Sequence, residues 1–307
     1  MLHLRVISPP EDTERVLGLL TAEAGATNVV VLAGAAREPA GDLVLADVVR
    51  EAGTPILSGL RKLGIHEHGS IAIETVDAAL SRNAQRAADA APGLSGDAVV
   101  WDEIEHKTGE ETEISGTFLA LLAVATIIAG IGVLLDQPIL IVGAMVVGPE
   151  YGPLASLSVG IVRRRARSIR RSLLALGVGF PVGIVVTILT TWGLDALGLV
   201  DKEMLLRERP LTDFIWRPDA LSWVVGFFAG VAGMLSLTSA KAGPLIGVLI
   251  SVTTVPAAAN IAVALAYGVP HEAGGSALQL LINLAAIVVA GVATLLVLRW
   301  LWRLRRG

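Results

Sequence analysis

Cysteine is absent from this 307-residue sequence. The chain therefore cannot form a disulfide framework, a thiolate metal site or a cysteine nucleophile. A P-loop, a dinucleotide fingerprint and a Ser-His-Asp signature are also missing. The five histidines are dispersed and form no metal-ligand cluster. We therefore expect no enzyme activity and no resident metal or cofactor.

Apolar residues, by contrast, are abundant. They make up 53% of the chain, and the mean hydropathy of +0.68 indicates an integral membrane protein. The net charge of −4 conceals an asymmetry, because residues 1–116 carry 19 acidic and 9 basic side chains, whereas residues 117–307 carry 9 and 15. An acidic soluble part thus precedes a basic membrane part, and its composition gives no reason to expect nucleic-acid binding.

The N-terminal part alternates between strand and helix periodicities. Strands are predicted at 2–8, 27–34, 42–50 and 69–77, with helices in 11–25 and 54–64. The order β-α-β-β-α-β predicts an α+β ferredoxin-like domain over residues 1–80, followed by a linker and an acidic juxtamembrane helix over 81–116. The first residues lack the basic start and apolar core of a signal peptide, so we expect this domain in the cytoplasm.

Residues 117–307 are hydrophobic in blocks. A membrane span needs about 20 apolar residues to cross a hydrocarbon core of about 30 Å. This length predicts a domain of six transmembrane helices at about 117–135, 137–162, 172–194, 220–238, 245–267 and 277–298.

Arginine clusters orient these spans. Six arginines lie between the second and third spans: Arg163, Arg164, Arg165, Arg167, Arg170 and Arg171. Four more lie in 299–307, and positive charge favours the cytoplasmic side for both clusters. We therefore expect a multi-pass protein of the inner (plasma) membrane with both termini in the cytoplasm. The first cluster is expected to bind anionic lipid headgroups, and docking of the acidic N-terminal domain is its alternative role.

The first and last three spans share an order of features. Residues 129–155 and 229–258 each combine a Gly-rich span, a short polar turn with a proline and a small apolar segment. Three spans per copy would insert the copies in opposite orientations, as in the inverted repeats of many secondary transporters. We therefore predict a 3+3 inverted repeat in which helices two and five are broken near the membrane midplane.

These two breaks supply the candidate site. A carboxylate at mid-membrane costs about 2.5–3.5 kcal/mol, so such a group is normally paired, protonated or beside water. Exposed backbone at that depth is tolerated only inside protein or beside a cavity. The candidate residues for binding a solute or ion are Gly148, Pro149, Glu150, Tyr151, Gly152, Pro153, Thr253, Thr254, Pro256 and Asn260. The alternatives are a packing kink with a neutral, hydrogen-bonded Glu150, and ordinary helix-packing roles for the threonines and Asn260.

The segment "ILIVGAMVVGPEYGPLASLSVGIV" (139–162), the arginine-rich loop after it and the N-terminal strands resemble one known family. This is the domain-of-unknown-function 389 family, a group of uncharacterised prokaryotic hydrophobic membrane proteins. The resemblance implies a membrane protein with a small cytoplasmic domain. It carries over no catalytic residues.

We expect a transporter or channel for a small solute or ion, regulated by the cytoplasmic ferredoxin-like domain. The alternative is a non-transporting, oligomeric membrane scaffold or sensor. An enzyme acting on lipid would need a carboxylate pair or metal cluster at the interface, and the sequence shows neither. Close helix packing is expected at the Gly-xxx-Gly pairs Gly179/Gly183 and Gly226/Gly230, together with a homo-oligomer in the lipid bilayer.

Overall fold

The computed structural model describes residues 1–76, 79, 81–90, 99–238 and 254–306. Their contacts define two compact units, whose main parts are Met1–Ile104 and Glu105–Leu237, the second continuing along the last long helix to Val297. Each unit has its own hydrophobic core.

The N-terminal unit is built on a four-stranded antiparallel sheet. Its elements are β1 (Leu2–Ser8), α1 (Thr13–Ala22), β2 (Ala26–Arg37), β3 (Ala40–Val48), α2 (Arg50–Lys62), the short α3 (Ile65–His68) and β4 (Ser70–Thr75). The strand order is β2-β3-β1-β4, and every neighbouring pair is antiparallel. The predicted β-α-β-β-α-β order is confirmed, and the sheet order is that of the ferredoxin-like arrangement.

Alternation along the strands explains this core. In β1, Leu2, Leu4 and Val6 are buried, and β3 buries Val44 and Val48 on the same face. Successive strand residues point to opposite sides, so this pattern gives the sheet one apolar face. The apolar stripes of α1 and α2 cover that face. Two further helices, α4 (Arg82–Ala90) and α5 (Trp101–Glu110), follow in the chain.

The second unit is helical. Its helices are α6 (Gly116–Leu134), α7 (Pro138–Val147), α8 (Tyr151–Arg163), α9 (Ala166–Ala196), α10 (Lys202–Leu206), α11 (Ala220–Thr238), α12 (Val255–Ala266) and α13 (Pro270–Arg306). Among the described residues, α6, α9, α11 and α13 are long and apolar enough to cross a membrane, and the bent pair α7–α8 makes a fifth candidate. At 1.5 Å per residue, α12 is about 18 Å long, too short to cross alone. The first part of the predicted fifth span lies outside the described residues.

The predicted loop at 163–171 is shorter than expected. Helix α8 ends at Arg163, its C-cap Arg164 adopts a left-handed conformation with φ of 56°, and α9 already begins at Ala166. Arg167, Arg170 and Arg171 therefore lie on the first turns of α9. Arginine is a good helix former, so the charge cluster does not interrupt the helix.

Helices α8 and α12 lie inside the unit. Residues 152–160 of α8 and 255–264 of α12 are all buried, and α12 packs against α6 and α9. Helix α7 instead exposes apolar side chains such as Ile139, which is 81% exposed.

Both Gly-xxx-Gly pairs lie at close helix contacts, as predicted. A Cβ added at Gly179 would lie 2.8 Å from the Leu122 side chain of α6. One at Gly230 would lie 2.7 Å from the Ile287 carbonyl oxygen of α13. Glycine at these positions therefore permits the approach of α9 to α6 and of α11 to α13.

Candidate functional site

The first break separates α7 from α8 and bends their axes by 56°. Proline has no N–H and disfavours a helical conformation in the residue before it. Gly148 accordingly caps α7 with extended backbone (φ −65°, ψ 126°), and Glu150 is the N-cap of α8. The break predicted from Gly148 and Pro149 is therefore confirmed.

Gly152 and Pro153, two further helix-disfavouring residues of this segment, do not contribute to the break. Both residues lie within the first turn of α8, which begins at Tyr151. The first four N–H groups of a helix have no partner inside it, so a proline there removes no helical hydrogen bond. Pro256 is in the same situation near the start of α12. These two prolines lie at helix starts and do not interrupt helices.

Glu150 joins the two predicted breaks. The Thr254 hydroxyl donates a hydrogen bond of 2.8 Å to Glu150 Oε1, across 104 residues of sequence. Thr254 is the N-cap of α12, just as Glu150 is the N-cap of α8. Glu150 is 1% exposed and Thr254 is fully buried. The structure thus brings together two of the predicted residues; Thr253 lies outside the described residues.

Two opposing effects act on this carboxyl group. The N-termini of α8 and α12 meet at Glu150, and the partial positive charge of helix N-termini favours a negative group. Burial opposes ionisation, because a charge removed from water must be compensated by hydrogen bonds or an opposite charge. Glu150 Oε2 has no hydrogen-bond partner within the described part of the chain. One carboxyl oxygen is therefore positioned by Thr254, and the other can accept or share a proton or bind a ligand.

Gly148 makes room for this arrangement. A Cβ added there would lie 2.4 Å from Glu150 Oε2 and 2.9 Å from Val255 Cγ2. The carboxyl group thus folds back over its own break and packs against the start of α12.

An open cavity of about 450 Å³ reaches the first break. Its walls come from the segment before α6 and from the break, and they include Glu110, Glu111, Glu113, Ser115, Gly148, Pro149, Tyr151 and Gly152. Tyr151 is half-buried, and its hydroxyl has no hydrogen-bond partner among the described residues. The cavity therefore connects a carboxylate-rich rim with the backbone on either side of Glu150.

Glu111 lies directly over the start of α8. A Cβ added at Gly152 would lie 2.4 Å from Glu111 Cβ, so only glycine permits this contact. Burial raises the pKa of Glu111 because it removes solvent from the carboxylate. The positive charge of Lys107 lowers this pKa, and the negative charge of Glu110 raises it. Glu111 thus protonates more readily than an ordinary surface glutamate.

Asn260 belongs to a different cluster. It lies six residues beyond Thr254, about 9 Å further along the axis of α12. Its Nδ2 donates to Glu272 Oε1 (3.1 Å) and to Ser276 Oγ (2.7 Å), and its Oδ1 accepts a 3.5 Å bond from Arg209 Nη1. The predicted site therefore divides into a pair at the breaks and a second polar cluster.

Sequence reasoning missed Arg209 and Glu272. Arg209 lies among several acidic and basic residues in 195–219, and Glu272 precedes the predicted start of the sixth span. Their ion pair is nevertheless buried, with side chains 2% and 7% exposed. The sequence does contain a pattern that indicates a polar helix face in α13. Its polar residues recur at spacings of four, three and four: Glu272, Ser276, Gln279 and Asn283.

Two members of the arginine cluster contact Glu105. Arg163 Nε donates to Glu105 Oε1 at 2.9 Å, and Arg165 lies 3.6 Å from the same oxygen. The other four members, Arg164, Arg167, Arg170 and Arg171, are exposed. Their binding to anionic lipid or to the N-terminal domain stays a prediction.

Comparison with known proteins adds a family to this geometry. Residues 145–289 match the family model "Domain of unknown function (DUF389)". The resemblance carried by residues 139–162 is thereby confirmed. The DUF389 match includes Glu150, Thr254, Asn260, Arg209 and Glu272, and it does not extend to the N-terminal sheet.

A curated relative matches part of the chain and is itself uncharacterised. An uncharacterised protein of Methanocaldococcus jannaschii is 24% identical over 194 residues, which are 63% of this chain and 58% of the relative. The chain thus matches under two thirds of that relative's length. No solved structure matches this chain. Neither the DUF389 match nor the relative assigns an activity.

Proposed function

We propose that the helical unit is a transporter or channel for a small solute or ion. The observation that carries this proposal is the Glu150–Thr254 hydrogen bond, which joins the N-caps of two buried helices. Secondary transporters build substrate sites from discontinuous helices whose N-termini meet near the midplane. A buried carboxyl group with one free oxygen adds a group that can bind a cation or carry a proton.

The proposed architecture has six spans in two inverted halves. Two correspondences between α8 and α12 support it: each helix has a polar N-cap, Glu150 or Thr254, and each has a proline in its first turn. The arginine cluster and the C-terminal arginines are placed on the cytoplasmic side of the plasma membrane by the positive-inside rule. In this orientation, the cavity at Ser115 and Gly148 is the cytoplasmic entrance to the site, and the ferredoxin-like domain regulates it.

Reconstituted vesicles test the proposal. Wild-type protein and Glu150→Gln are compared under proton, Na⁺, K⁺, chloride and phosphate gradients, with a pH dye inside the vesicles. Gln keeps the size and hydrogen-bonding capacity of Glu but cannot ionise, so we expect it to lose most of the ion- or proton-coupled flux. Glu67→Gln, at an exposed position of α3, is the matched control and should keep the flux. Equal, specific flux from wild type and Glu150→Gln would remove Glu150 from the mechanism.

A scaffold or sensor is the second candidate. The close helix contacts at glycines and the continuous burial of α12 favour it, because both features are also expected in a rigid, non-conducting helix bundle. Absence of flux for every gradient, together with a stable oligomer in native membranes, would support the scaffold.

A further inference from the structure

An ion pair is buried in the helical unit away from the breaks. Arg209 Nη2 donates to Glu272 Oε1, and the amide of Asn260 contacts both partners. Burying two charges costs several kcal/mol per ion before their attraction repays it, and removing one partner leaves the other uncompensated. In membrane proteins such charges usually mark pathways or sites. The position of this pair therefore calls for a functional explanation.

Arg209 comes from a segment held at both ends. We call residues 200–217 the strap. On one side Arg207 Nη2 donates to the Leu134 carbonyl oxygen (2.9 Å), and Thr212 Oγ1 donates to Asp136 Oδ1 (2.8 Å) at the turn between α6 and α7. The strap therefore lies across the end of the first pair of apolar helices.

On the other side, the strap lies against α13. The Trp216 carbonyl oxygen would be only 2.2 Å from a Cβ added at Gly275, and the Trp216 ring meets His271 edge-on at 5.7 Å. Arg209 lies between Arg207 and Thr212 in the strap, and its side chain pairs with Glu272 of α13. Its Nε has no hydrogen-bond partner among the described residues.

Behind the ion pair runs a stripe of polar side chains on α13. Glu272, Ser276, Gln279 and Asn283 lie on one helix face, and none is more than 6% exposed. Gln279 Nε2 donates to Asn283 Oδ1 at 3.5 Å, whereas Gln279 Oε1 has no partner in the described part of the chain. Buried polar groups are normally satisfied, so an unpaired amide oxygen indicates a place that water or a ligand can occupy.

We propose that Arg209 and Glu272 form the closed outer gate of a polar path along α13. The two charges neutralise each other, and the stripe behind them offers hydroxyl and amide groups that both donate and accept. This chemistry suits a small solute without net charge that is recognised by hydrogen bonds. The proposal rests on the proposed transport function, for which it names the outer entrance and the class of solute.

The absence of cysteine provides a direct test. Gln279→Cys introduces one thiol behind the gate, and its reaction with a membrane-impermeant methanethiosulfonate reagent is measured on intact cells. We expect slow labelling behind the closed gate. The gate variant combines Arg209→Gln and Glu272→Gln, so that both charges are removed and neither is left unpaired. We expect it to accelerate labelling about tenfold, which corresponds to a change of about 1.4 kcal/mol in the free-energy difference between the closed and open states.

Two controls make the result specific. Arg217→Gln breaks the exposed Arg217–Asp213 pair of the same strap and should leave labelling of the thiol introduced by Gln279→Cys unchanged. Leu211→Cys, at a position 56% exposed on the strap, gives the labelling rate of a freely accessible thiol. Melting temperature and size-exclusion profile show that each variant is folded.

The outcomes separate the gate from the transport proposal. An unchanged labelling rate at position 279 in the folded gate variant would contradict the gate. The ion pair would then only hold the strap against α13. Faster labelling in the gate variant supports the gate. If flux is absent under every ion gradient and also under a gradient of a small neutral amide such as urea, while labelling accelerates, the transport proposal fails and the outer opening stands.

Discussion

The two helix starts at Glu150 and Thr254 share a backbone design and differ in chemistry. Each residue is the N-cap of a buried helix, and each is followed by a proline in the first turn. The first break supplies a carboxyl group and adjoins an open cavity, whereas Thr254 supplies a hydroxyl donor and is fully buried. The difference suggests a division of labour: one start provides the reactive group, and the other holds it in place.

The largest expected effect is at the first break. Gly148→Ala introduces a Cβ 2.4 Å from Glu150 Oε2 and 2.9 Å from Val255 Cγ2, so the carboxyl group or α12 must shift. We expect a loss of about 3 kcal/mol in the free energy of unfolding in detergent, since overpacking costs about 1–3 kcal/mol.

Gly143→Ala is the matched control for this change. Gly143 lies in α7 with nothing within 4 Å of an added Cβ. Alanine in a helix interior is favoured over glycine by about 1 kcal/mol, so this variant should be unchanged or more stable. Equal losses from both variants would contradict the packing described for Gly148.

A second comparison concerns the Gly-xxx-Gly pairs of α9 and α11. Gly230 faces the backbone oxygen of Ile287, which cannot rotate away, whereas Gly183 faces the Thr126 side chain at 3.1 Å. Gly230→Ala should therefore lower the free energy of unfolding by about 2 kcal/mol, and Gly183→Ala by less. Gly177→Ala, with open space around the new Cβ, serves as the reference. The reverse order would show that α9 and α6 form the tighter contact.

Removing the hydroxyl of Thr254 tests the holding role. Thr254→Val leaves Glu150 Oε1 without its donor, and hydrogen bonds between membrane helices contribute about 0.6–2 kcal/mol. We expect a loss of about 1 kcal/mol in the free energy of unfolding, with Thr254→Ser close to wild type. If Thr254→Ser is as damaging as Thr254→Val, the methyl group matters and the hydrogen bond does not.

The smallest expected effect is at the cavity rim beside the first break. Burial raises the pKa of Glu111 above 4.5, so the folded state binds its proton more tightly than the unfolded state. Glu111 therefore favours folding at low pH, and this contribution is lost as pH rises from about 4.5 through the folded-state pKa. Glu111→Gln should flatten the dependence of melting temperature on pH in this window. An unchanged slope would show that Glu111 is solvated like a surface residue.

Much of this arrangement could be predicted from local signals. Alternating apolar residues in 2–8 and 42–50 predict the strands, because one sheet face is buried. Gly148 and Pro149 predict the break, because proline removes an N–H and restricts the residue before it. Glu150 and Thr254 are both predicted site residues, because each is polar and lies near the middle of a predicted span.

The remaining features depend on tertiary structure. Whether Pro153 breaks a helix depends on where α8 begins, and the sequence around it does not fix that point. Arg209 and Glu272 are separated by 63 positions. Because Arg209 lies among acidic and basic residues, its sequence context predicts an exposed side chain. Its burial follows from the strap lying across α13, a contact that single-sequence periodicity does not encode.

Flux through a double-mutant cycle of Glu150 and Thr254 tests the central claim that the two helix starts form one transport site. Wild type, Glu150→Gln, Thr254→Val and the double variant are reconstituted at equal density and assayed under the gradient that gives the largest wild-type flux. If Thr254 acts through Glu150, each single variant lowers flux, and the double variant has the flux of Glu150→Gln alone. Losses that multiply in the double variant would show that the two residues act independently and would contradict a single site.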